Sequence, residues 1–244
     1  MTTIASPQNE KLKLVRKLRD RKQREREGLF ASEGEDLVEA GLAAGLTPRL
    51  LLTAAGSGLG ERWGGDEVEP ELLASVSSLG SGTRALAVWQ LGWAEAAIAP
   101  CVYLHGVGDP GNVGTILRTA DALLGTAIAL GPDCADPFSP KAVRASMGSI
   151  FSRPPLRTGI GATPEKRAAL VAHGGAGLEA LAGASTICLG AERDGLPADV
   201  LAGCEVEVTI PLRPGVESLN VAAAAAIACE RLSSPAMSEA RPDA

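Results

Sequence analysis

Short apolar runs alternate with amphipathic stretches along the second half of the chain. Each apolar run is brief and bounded by turn residues, which is typical of buried strands, and the stretches between them have helical spacing. Strands that alternate with helices indicate a parallel sheet covered on both faces, so the predicted fold class is α/β. The predicted strands span 101–105, 127–131, 185–189 and 205–210, and the predicted helices span 112–124, 139–149, 164–172 and 218–231.

The first part of the chain alternates in a similar way but begins with a charged stretch. Ser6-Pro7 is a typical helix start and predicts one basic helix that ends at Gly28. Ser32 to Glu35 forms a capping box for a second helix, and further strands are predicted beyond it. We therefore expect a small α/β domain at 1–92, a linker at 93–100, a parallel-sheet domain at 101–232 and a disordered tail at 233–244.

The predicted helix at 112–124 has a clear amphipathic pattern, with Arg118 on a separate stripe of small residues. A surface ion pair with Asp121, three residues further on, is one explanation for this arginine. A phosphate or a developing anion near the glycine-rich helix start is another. The expected buried stripe comprises Val113, Ile116, Leu117, Ala120, Leu123 and Leu124.

Three loops follow predicted strands, and ligands of parallel sheets bind at the carboxyl ends of strands. Gly106 to Gly111 reads as G-x-G-x-x-G, with Asp133 further along, which is the dinucleotide-binding pattern. Gly190 to Gly195 contains Glu192, and its glycines permit a close approach of the backbone to a ligand. The third loop brings Ser218 and Asn220 to the start of an alanine-rich helix, where they can cap the helix or hold a ligand.

Composition excludes several classes of protein. No apolar run is long enough to cross a bilayer, and the N-terminus is too charged for a secretory signal. The five cysteines are scattered and predict free thiols in a reducing cytoplasm. The two histidines lie far apart and no C-x-x-C occurs, so we expect no metal site.

Charge is distributed unevenly along the chain. The net charge is −6, but residues 1–27 hold nine Lys or Arg and four acids, which gives this arm +5 and the remainder −11. A solvated helix face is one interpretation, and a phosphate-contacting arm is the other. Lys141 and Arg144 share one side of the predicted helix at 139–149 and suggest a second phosphate contact.

Three motifs occur in a fixed order: N-x-G-x-x-x-R-T-A at Asn112 to Ala120, G-x-E-x-x-G at Gly190 to Gly195, and I-P followed by S-L-N at Ile210 to Asn220. This order resembles the SpoU-type RNA 2′-O-ribose methyltransferases of the SPOUT superfamily. The stretch from Ser6 to Leu42 is similar to the ribosomal-protein-like substrate-binding domain of members that modify ribosomal RNA.

The resemblance implies a deep trefoil knot, a homodimer, S-adenosylmethionine as the cofactor, and RNA as the partner, with ribosomal RNA favoured over tRNA. It implies a catalytic set of Arg118, Asn112, Ser218, Asn220 and Glu192. The expected cofactor contacts are Gly190, Ile210, Leu219, Leu189, Pro211 and Gly195, and the expected RNA contacts are Arg19, Lys22, Arg26, Lys141 and Arg144.

Three other functions stay open at this point. A tRNA 2′-O-methyltransferase would carry the same motifs. A non-catalytic RNA-binding protein could keep the fold, although Arg118, Ser218 and Asn220 speak against it. A dinucleotide-binding oxidoreductase would explain the Gly106 loop but gives the Ser218 to Asn220 loop no role.

Overall fold

The computed structural model describes residues 3–78 and 82–238. Contacts between Cα atoms divide the chain into two units. One unit comprises Met1–Gly92 together with Phe138–Ser152, and the other comprises Trp93–Pro137 together with Arg153–Ala244.

The strands of both units, in chain order, are β1 (Leu29–Glu33), β2 (Leu50–Ala54), β3 (Asp66–Val68), β4 (Ala85–Gln90), β5 (Cys101–Leu104), β6 (Ile128–Leu130), β7 (Leu156–Arg157), β8 (Arg167–Leu170), β9 (Thr186–Leu189) and β10 (Val206–Val208).

The α-helices are α1 (Glu10–Lys17), α2 (Arg21–Glu27), α3 (Glu35–Ala43), α4 (Leu59–Trp63), α5 (Pro70–Val76), α6 (Pro110–Leu124), α7 (Pro140–Ala145), α8 (Ser149–Ser152), α9 (Ala198–Leu201) and α10 (Val221–Ser238). Short 3₁₀ helices span Ile160–Ala162 and Leu178–Leu181.

The first unit contains a four-stranded sheet in the order β1-β4-β2-β3. Strand β4 pairs antiparallel with β1 and β2, whereas β3 pairs parallel with β2 at the edge. Leu12 and Val15 of α1 pack with Leu52 of β2 and Leu86 of β4 in its core. The unit is therefore the small α/β fold that the strand pattern predicts. The predicted capping box is wrong, because Gly34 precedes α3 without a side-chain cap, whereas Ser32 lies in β1 and its Oγ accepts from Nε1 of Trp89 at 2.8 Å.

An aromatic cluster explains why Phe138–Ser152 belongs to this first unit. Phe30 lies 5.0 Å from Phe138 and 5.8 Å from Phe151, and Trp89 lies 5.0 Å from Phe151, measured between ring centroids. Aromatic pairs at such distances add to the energy of burial. We expected residues 139–149 to form one helix of the second domain; the structure instead divides the stretch into α7 and α8 and packs both with the first unit.

The basic arm also differs from its prediction, since two helices replace one. The carboxylate of Asp20 caps α2 by accepting a hydrogen bond from the Gln23 N–H at 3.1 Å. The buried Arg24 guanidinium donates to the carbonyls of Leu18 and Arg19, which terminate α1. The carbonyls at the end of a helix have no partners within the helix and need such donors. The Arg24 side chain therefore stabilises the break between α1 and α2.

The second unit contains a six-stranded parallel sheet in the order β10-β8-β9-β5-β6-β7. The predicted parallel sheet is therefore present. The predicted helix at 164–172 is wrong, because Arg167–Leu170 is strand β8 between β9 and β10. The chain threading that makes a trefoil knot stays a prediction of the resemblance.

Helix α6 packs against α10 and supports the loops of the second unit. Asp109 caps α6, Pro110 occupies its first turn, and Gly125 ends it in the left-handed region at φ 63°. The expected stripe is buried at Val113, Ile116, Leu117 and Ala120, but Leu123 is 39% exposed. Small residues of α10, among them the buried Ala225 and Ala228, allow α10 to pack closely against α6.

The predicted linker and tail differ from the structure. Trp93 lies under the guanidinium of Arg157 at 4.4 Å, and the Ala94 N–H donates to the Pro155 carbonyl, so the start of the predicted linker packs within the second unit. Helix α10 continues to Ser238, so 233–238 are helical, and the rest of the predicted tail lies outside the described residues. Within the described ranges, no helix is both long and apolar enough to span a membrane.

Candidate active site

A cavity of about 500 Å³ opens where three neighbouring strands of the second unit end. Its walls come from the segments that follow β8, β9 and β10 and from the first turns of α10. Because β10, β8 and β9 are adjacent in the sheet, their carboxyl ends meet at one place. Seven of the predicted site residues line this cavity: Leu189, Gly190, Glu192, Gly195, Ile210, Ser218 and Leu219.

The loop after β9 closes on itself. Ala191 and Gly195 exchange two backbone hydrogen bonds of 3.1 and 3.0 Å, and Gly195 has φ 66°, a left-handed conformation that suits glycine. A Cβ atom at Gly190 would overlap the backbone of Gly195 and Leu196. Gly190 therefore allows the loop to fold tightly against itself, and it also lines the cavity, so the predicted close approach of its backbone to a ligand stays a prediction.

A chain of side-chain hydrogen bonds joins the three motifs. Asn112 donates from Nδ2 to Oε1 of Glu192 at 2.8 Å, and its Oδ1 accepts from Nδ2 of Asn220 at 3.1 Å. The Oδ1 of Asn220 in turn accepts from the N–H of Ala222 at 2.9 Å, at the start of α10. Each amide thus has its donor and acceptor sides assigned, and the chain fixes Glu192 at the rim of the cavity.

Arg118 is exposed on α6 and does not line the cavity. Asp121 forms an ion pair with Arg153, 3.3 Å between Oδ1 and Nε, and not with Arg118. Within residues 3–78 and 82–238, no hydrogen bond or ion pair involves the Arg118 side chain, so its charge is available to a ligand. Among the other expected contacts, Asn112 and Asn220 act through the hydrogen-bond chain, and Pro211 lies outside the lining.

The cavity has polar groups that the sequence reasoning missed. His173, Arg193 and Glu217 line it, together with the segment that follows β8. Glu192 and Glu217 provide two carboxylates and Arg193 provides one guanidinium, so the lining can pair with a ligand that carries both positive and negative groups. His173 follows strand β8, and this position brings it to the carboxyl ends of the strands. Because the sequence pattern predicts a helix at 164–172 instead of this strand, it gives no reason to place His173 at the site.

Three buried side chains on β5 and β9 have raised pKa values, which favour their neutral forms. Burial raises the pKa of Tyr103 to about 12 and the pKa of the Cys101 thiol to about 11. Cys188, which precedes Leu189 on β9, also has a raised pKa, chiefly through its hydrogen bond with Cys204. These strand residues are therefore poor nucleophiles at neutral pH.

The Gly106 loop serves a structural purpose in this chain. Gly106 has φ 68°, its N–H donates to the Pro132 carbonyl, and Asp109 accepts from the Asn112 N–H at 2.9 Å as the cap of α6. None of the residues from Gly106 to Gly111 lines the cavity. The G-x-G-x-x-G spacing is thus explained by turn and cap geometry, which removes the main support for a dinucleotide site.

The five expected RNA contacts all belong to the first unit. Arg19 donates to the Ser77 carbonyl at 3.1 Å, and Arg144 donates to Ser78 Oγ at 3.2 Å. Lys22, Arg26 and Lys141 are exposed. In the described part of the chain, neither Lys22 nor Arg26 forms a salt bridge, whereas four cations of the arm do: Lys11, Lys13, Lys17 and Arg21. Among the residues that the structure describes, no cluster of His, Cys, Asp or Glu suitable for a metal occurs.

Comparison with known proteins gives the family. Residues 99–230 match the SpoU rRNA Methylase family, and residues 9–79 match the MRM3-like substrate binding domain. The chain is 32% identical to the 23S rRNA (guanosine(2553)-2'-O)-methyltransferase RlmP of Bacillus subtilis (strain 168), over 93% of this chain and 97% of the relative.

Two solved structures are similar over nearly their whole length. An AdoMet-bound rRNA methyltransferase from Sinorhizobium meliloti has a TM-score of 0.83 and 25% identity, covering 95% of this chain and 97% of its own. A putative RNA methyltransferase of the TrmH family from Porphyromonas gingivalis has a TM-score of 0.79 and 32% identity, covering 96% and 100%. The chain therefore belongs to the SpoU rRNA methylase family and is an RNA methyltransferase.

Proposed function

We propose that this protein transfers a methyl group from S-adenosylmethionine to a ribose 2′-hydroxyl of structured RNA, most favourably ribosomal RNA. The observation that carries the proposal is the Glu192–Asn112–Asn220 hydrogen-bond chain at the rim of the cavity, with Asn112 bonded to both of the other residues. It joins the three motifs into one site although they lie far apart in sequence. The named activity of the B. subtilis relative supports the choice of ribosomal RNA and of the 2′-oxygen.

The cavity suits S-adenosylmethionine by size and charge. Its volume of about 500 Å³ lies within the usual range for small-molecule sites, about 300–1,000 Å³. Leu189, Ile210 and Leu219 offer apolar walls, while Glu192 and Glu217 offer negative charge to a sulfonium. The AdoMet-bound S. meliloti structure supports the same ligand.

The cofactor supplies the methyl carbon on a positively charged sulfur, so the protein contributes position and charge. Glu192 is fixed by Asn112, and Asn220 is fixed at the start of α10, so both can orient groups that enter the rim. Arg118 stabilises the negative charge that develops on the 2′-oxygen. A guanidinium does not lose its proton at neutral pH, so we assign Arg118 this electrostatic role and not that of a base.

The basic arm and α7 make up the proposed RNA-contacting part of the first unit. Lys22 and Arg26 are exposed, and neither of them forms a salt bridge in the described chain. The match of residues 9–79 to a substrate-binding domain supports this assignment. Arg19, Lys141 and Arg144 complete the proposed set.

We also propose a homodimer with a knotted second domain that acts in the cytoplasm. The resemblance supports the first two features, and five free thiols fit a reducing compartment. Light scattering of the purified protein tests the dimer directly. A monomer at micromolar concentration would contradict it.

Calorimetry and a methyl-transfer assay test the proposed function together. We expect heat from S-adenosylmethionine and none from NAD, and transfer of labelled methyl groups to ribosomal RNA. Methylation of tRNA alone would identify tRNA, and not ribosomal RNA, as the substrate. Cofactor binding with no transfer to any RNA would favour a non-catalytic RNA-binding protein, and NAD binding alone would favour an oxidoreductase.

A further inference from the structure

A second cavity, of about 470 Å³, lies within the first unit and is separate in sequence from the three motifs. Its walls come from α1, the end of α3, the segment that leads into β2, the end of α4 and the start of β3. All of these residues fall within 9–79, the range that matches a substrate-binding domain. We refer to it as the Trp63 pocket, and its polar and aromatic lining comprises Lys11, Thr47, Arg49, Trp63 and Asp66.

One aromatic ring provides a wall of the Trp63 pocket. Trp63 is partly exposed, and the guanidinium of Arg62 lies 5.3 Å from its ring centroid. Arg62 itself is paired with Glu39 at 2.6 Å, so it is held beside the ring. The partly exposed indole leaves aromatic surface open to solvent, and flat aromatic ligands such as nucleobases stack on such side chains.

Positive charge in the pocket is supplied by Arg49. Lys11 also lines it but is paired with Asp66, whereas Arg49 has no carboxylate partner in the part of the chain that the structure describes. The Arg49 N–H donates to the Val88 carbonyl at 2.7 Å, which anchors its backbone to the sheet. An exposed guanidinium on an anchored backbone suits a phosphate.

The backbone of the pocket is also closely packed. Gly65 has φ 92°, and a Cβ atom there would come within 2.6 Å of the Leu51 carbonyl oxygen. Leu42 and Leu51 add apolar surface to the lining, and Thr47 adds a hydroxyl. The combination is an aromatic face, apolar walls, one carboxylate and one available cation.

From these features we infer that the Trp63 pocket binds one unpaired nucleotide of the RNA, with its base stacked on Trp63 and its phosphate paired with Arg49. This inference rests on the proposed function, since it assigns part of the RNA to the first unit. Sequence-specific contacts to RNA commonly use unstacked bases on aromatic side chains, which is the chemistry that this lining offers. The pocket would therefore favour RNA that presents an unpaired base to the first unit.

Tryptophan fluorescence and RNA affinity test the inference without any need for turnover. The probes are single-stranded RNA hexamers of A, of U and of C, an abasic hexamer with the same number of phosphates, and heparin. We expect the base-containing hexamers to quench fluorescence, and Trp63→Phe to identify Trp63 as the source. Trp63→Leu should weaken hexamer binding about 5-fold to 100-fold, and Trp63→Phe should restore most of it.

The charge contribution is tested with a matched pair of variants. Arg49→Gln should weaken hexamer binding several-fold, whereas Arg231→Gln removes the same charge from an exposed arginine of α10, outside the pocket and the basic arm, and should have a smaller effect. Circular dichroism and S-adenosylmethionine calorimetry check that each variant is folded.

Two results would overturn the inference. In the first, Trp63→Leu weakens the binding of abasic RNA and of heparin as much as it weakens the binding of base-containing RNA. The other is hexamer affinity that Trp63→Leu and Arg49→Gln leave unchanged. If the wild-type protein methylates RNA while these variants bind normally, the pocket assignment fails and the proposed function stands. If the wild type neither binds the cofactor nor methylates RNA, the proposed function itself fails.

Discussion

The side chain of Asn112 donates a hydrogen bond to Glu192, which lies 80 residues further along the chain, at 2.8 Å. Asn112 sits in the first turn of α6, and Glu192 sits on the loop that lines the larger cavity. The contact therefore connects the helix that carries Arg118 with the proposed cofactor loop. The remaining amide oxygen of Asn112 accepts from Asn220, so replacing the amide disturbs both partners.

Asn112→Asp should reduce methyl transfer strongly, because it would place two carboxylates against each other at the rim. Loss of a hydrogen bond to a charged group corresponds to about 10-fold to 100-fold in rate. Single-turnover methyl transfer measures the effect. Thr115→Ala is the control, since the exposed Thr115 hydroxyl donates only to the Gly111 carbonyl of its own helix. Activity of the Asp variant within about 2-fold of wild type would contradict the role of the hydrogen-bond chain.

Gly190→Ala should weaken S-adenosylmethionine binding by about 10-fold or more, because the added Cβ forces the Gly190–Gly195 loop open. Gly159→Ala is the matched control, since that glycine has φ −83° and no atom lies within 4 Å of the place that the new methyl group would occupy. Calorimetry measures both affinities. Equal affinity for the two variants would show that the closed loop is not needed for binding.

Acid should remove the stabilisation that Glu35 provides. Two hydrogen bonds from Arg84, each 2.7 Å, lower the pKa of Glu35 from its ordinary 4.5. A lowered pKa in the folded state contributes stability that is complete above the unfolded value and is lost as the pH falls through the folded value. Urea denaturation should therefore find Glu35→Gln less stable than wild type at about pH 7, with the difference shrinking below about pH 4.5. A difference that is independent of pH would contradict this assignment.

Alkylation should distinguish the five thiols. Burial raises the pKa of Cys229 to about 12, whereas the hydrogen bond from Cys188 lowers the pKa of the half-buried Cys204. Since the thiolate is the reactive form, Cys204 should be modified first by iodoacetamide under native conditions. Mass spectrometry of timed samples identifies the order. Early modification of Cys229 would contradict the burial of that thiol.

Local sequence pattern predicts some elements of this fold better than others. Short apolar runs predict β5, β6, β9 and β10, because buried parallel strands consist of such runs. Strand β8 was missed since its core, Ala168 and Ala169, favours a helix in isolation, and only pairing with β9 and β10 makes it a strand. The sequence alone does not reveal such pairing.

Long-range contacts explain the other differences. Phe138 and Phe151 join Phe30 and Trp89 in one cluster, and no local pattern predicts which core an aromatic residue enters. The motif residues were recognised by order and resemblance, yet the Asn112–Glu192 contact and the cavity position of His173 depend on the folded sheet. Residue types could thus be predicted for the site, whereas its geometry could not.

Mapping of 2′-O-methylation at single-nucleotide resolution tests the central claim most directly. Unmodified ribosomal RNA is incubated with S-adenosylmethionine and wild-type protein, Arg118→Ala, or Arg231→Ala, the last being an exposed arginine on α10 outside the proposed site. The account predicts one new methylated ribose with wild type and with Arg231→Ala, and none with Arg118→Ala, although all three proteins bind the cofactor. Absence of any ribose methylation by the wild-type protein, or full methylation by Arg118→Ala, would contradict it.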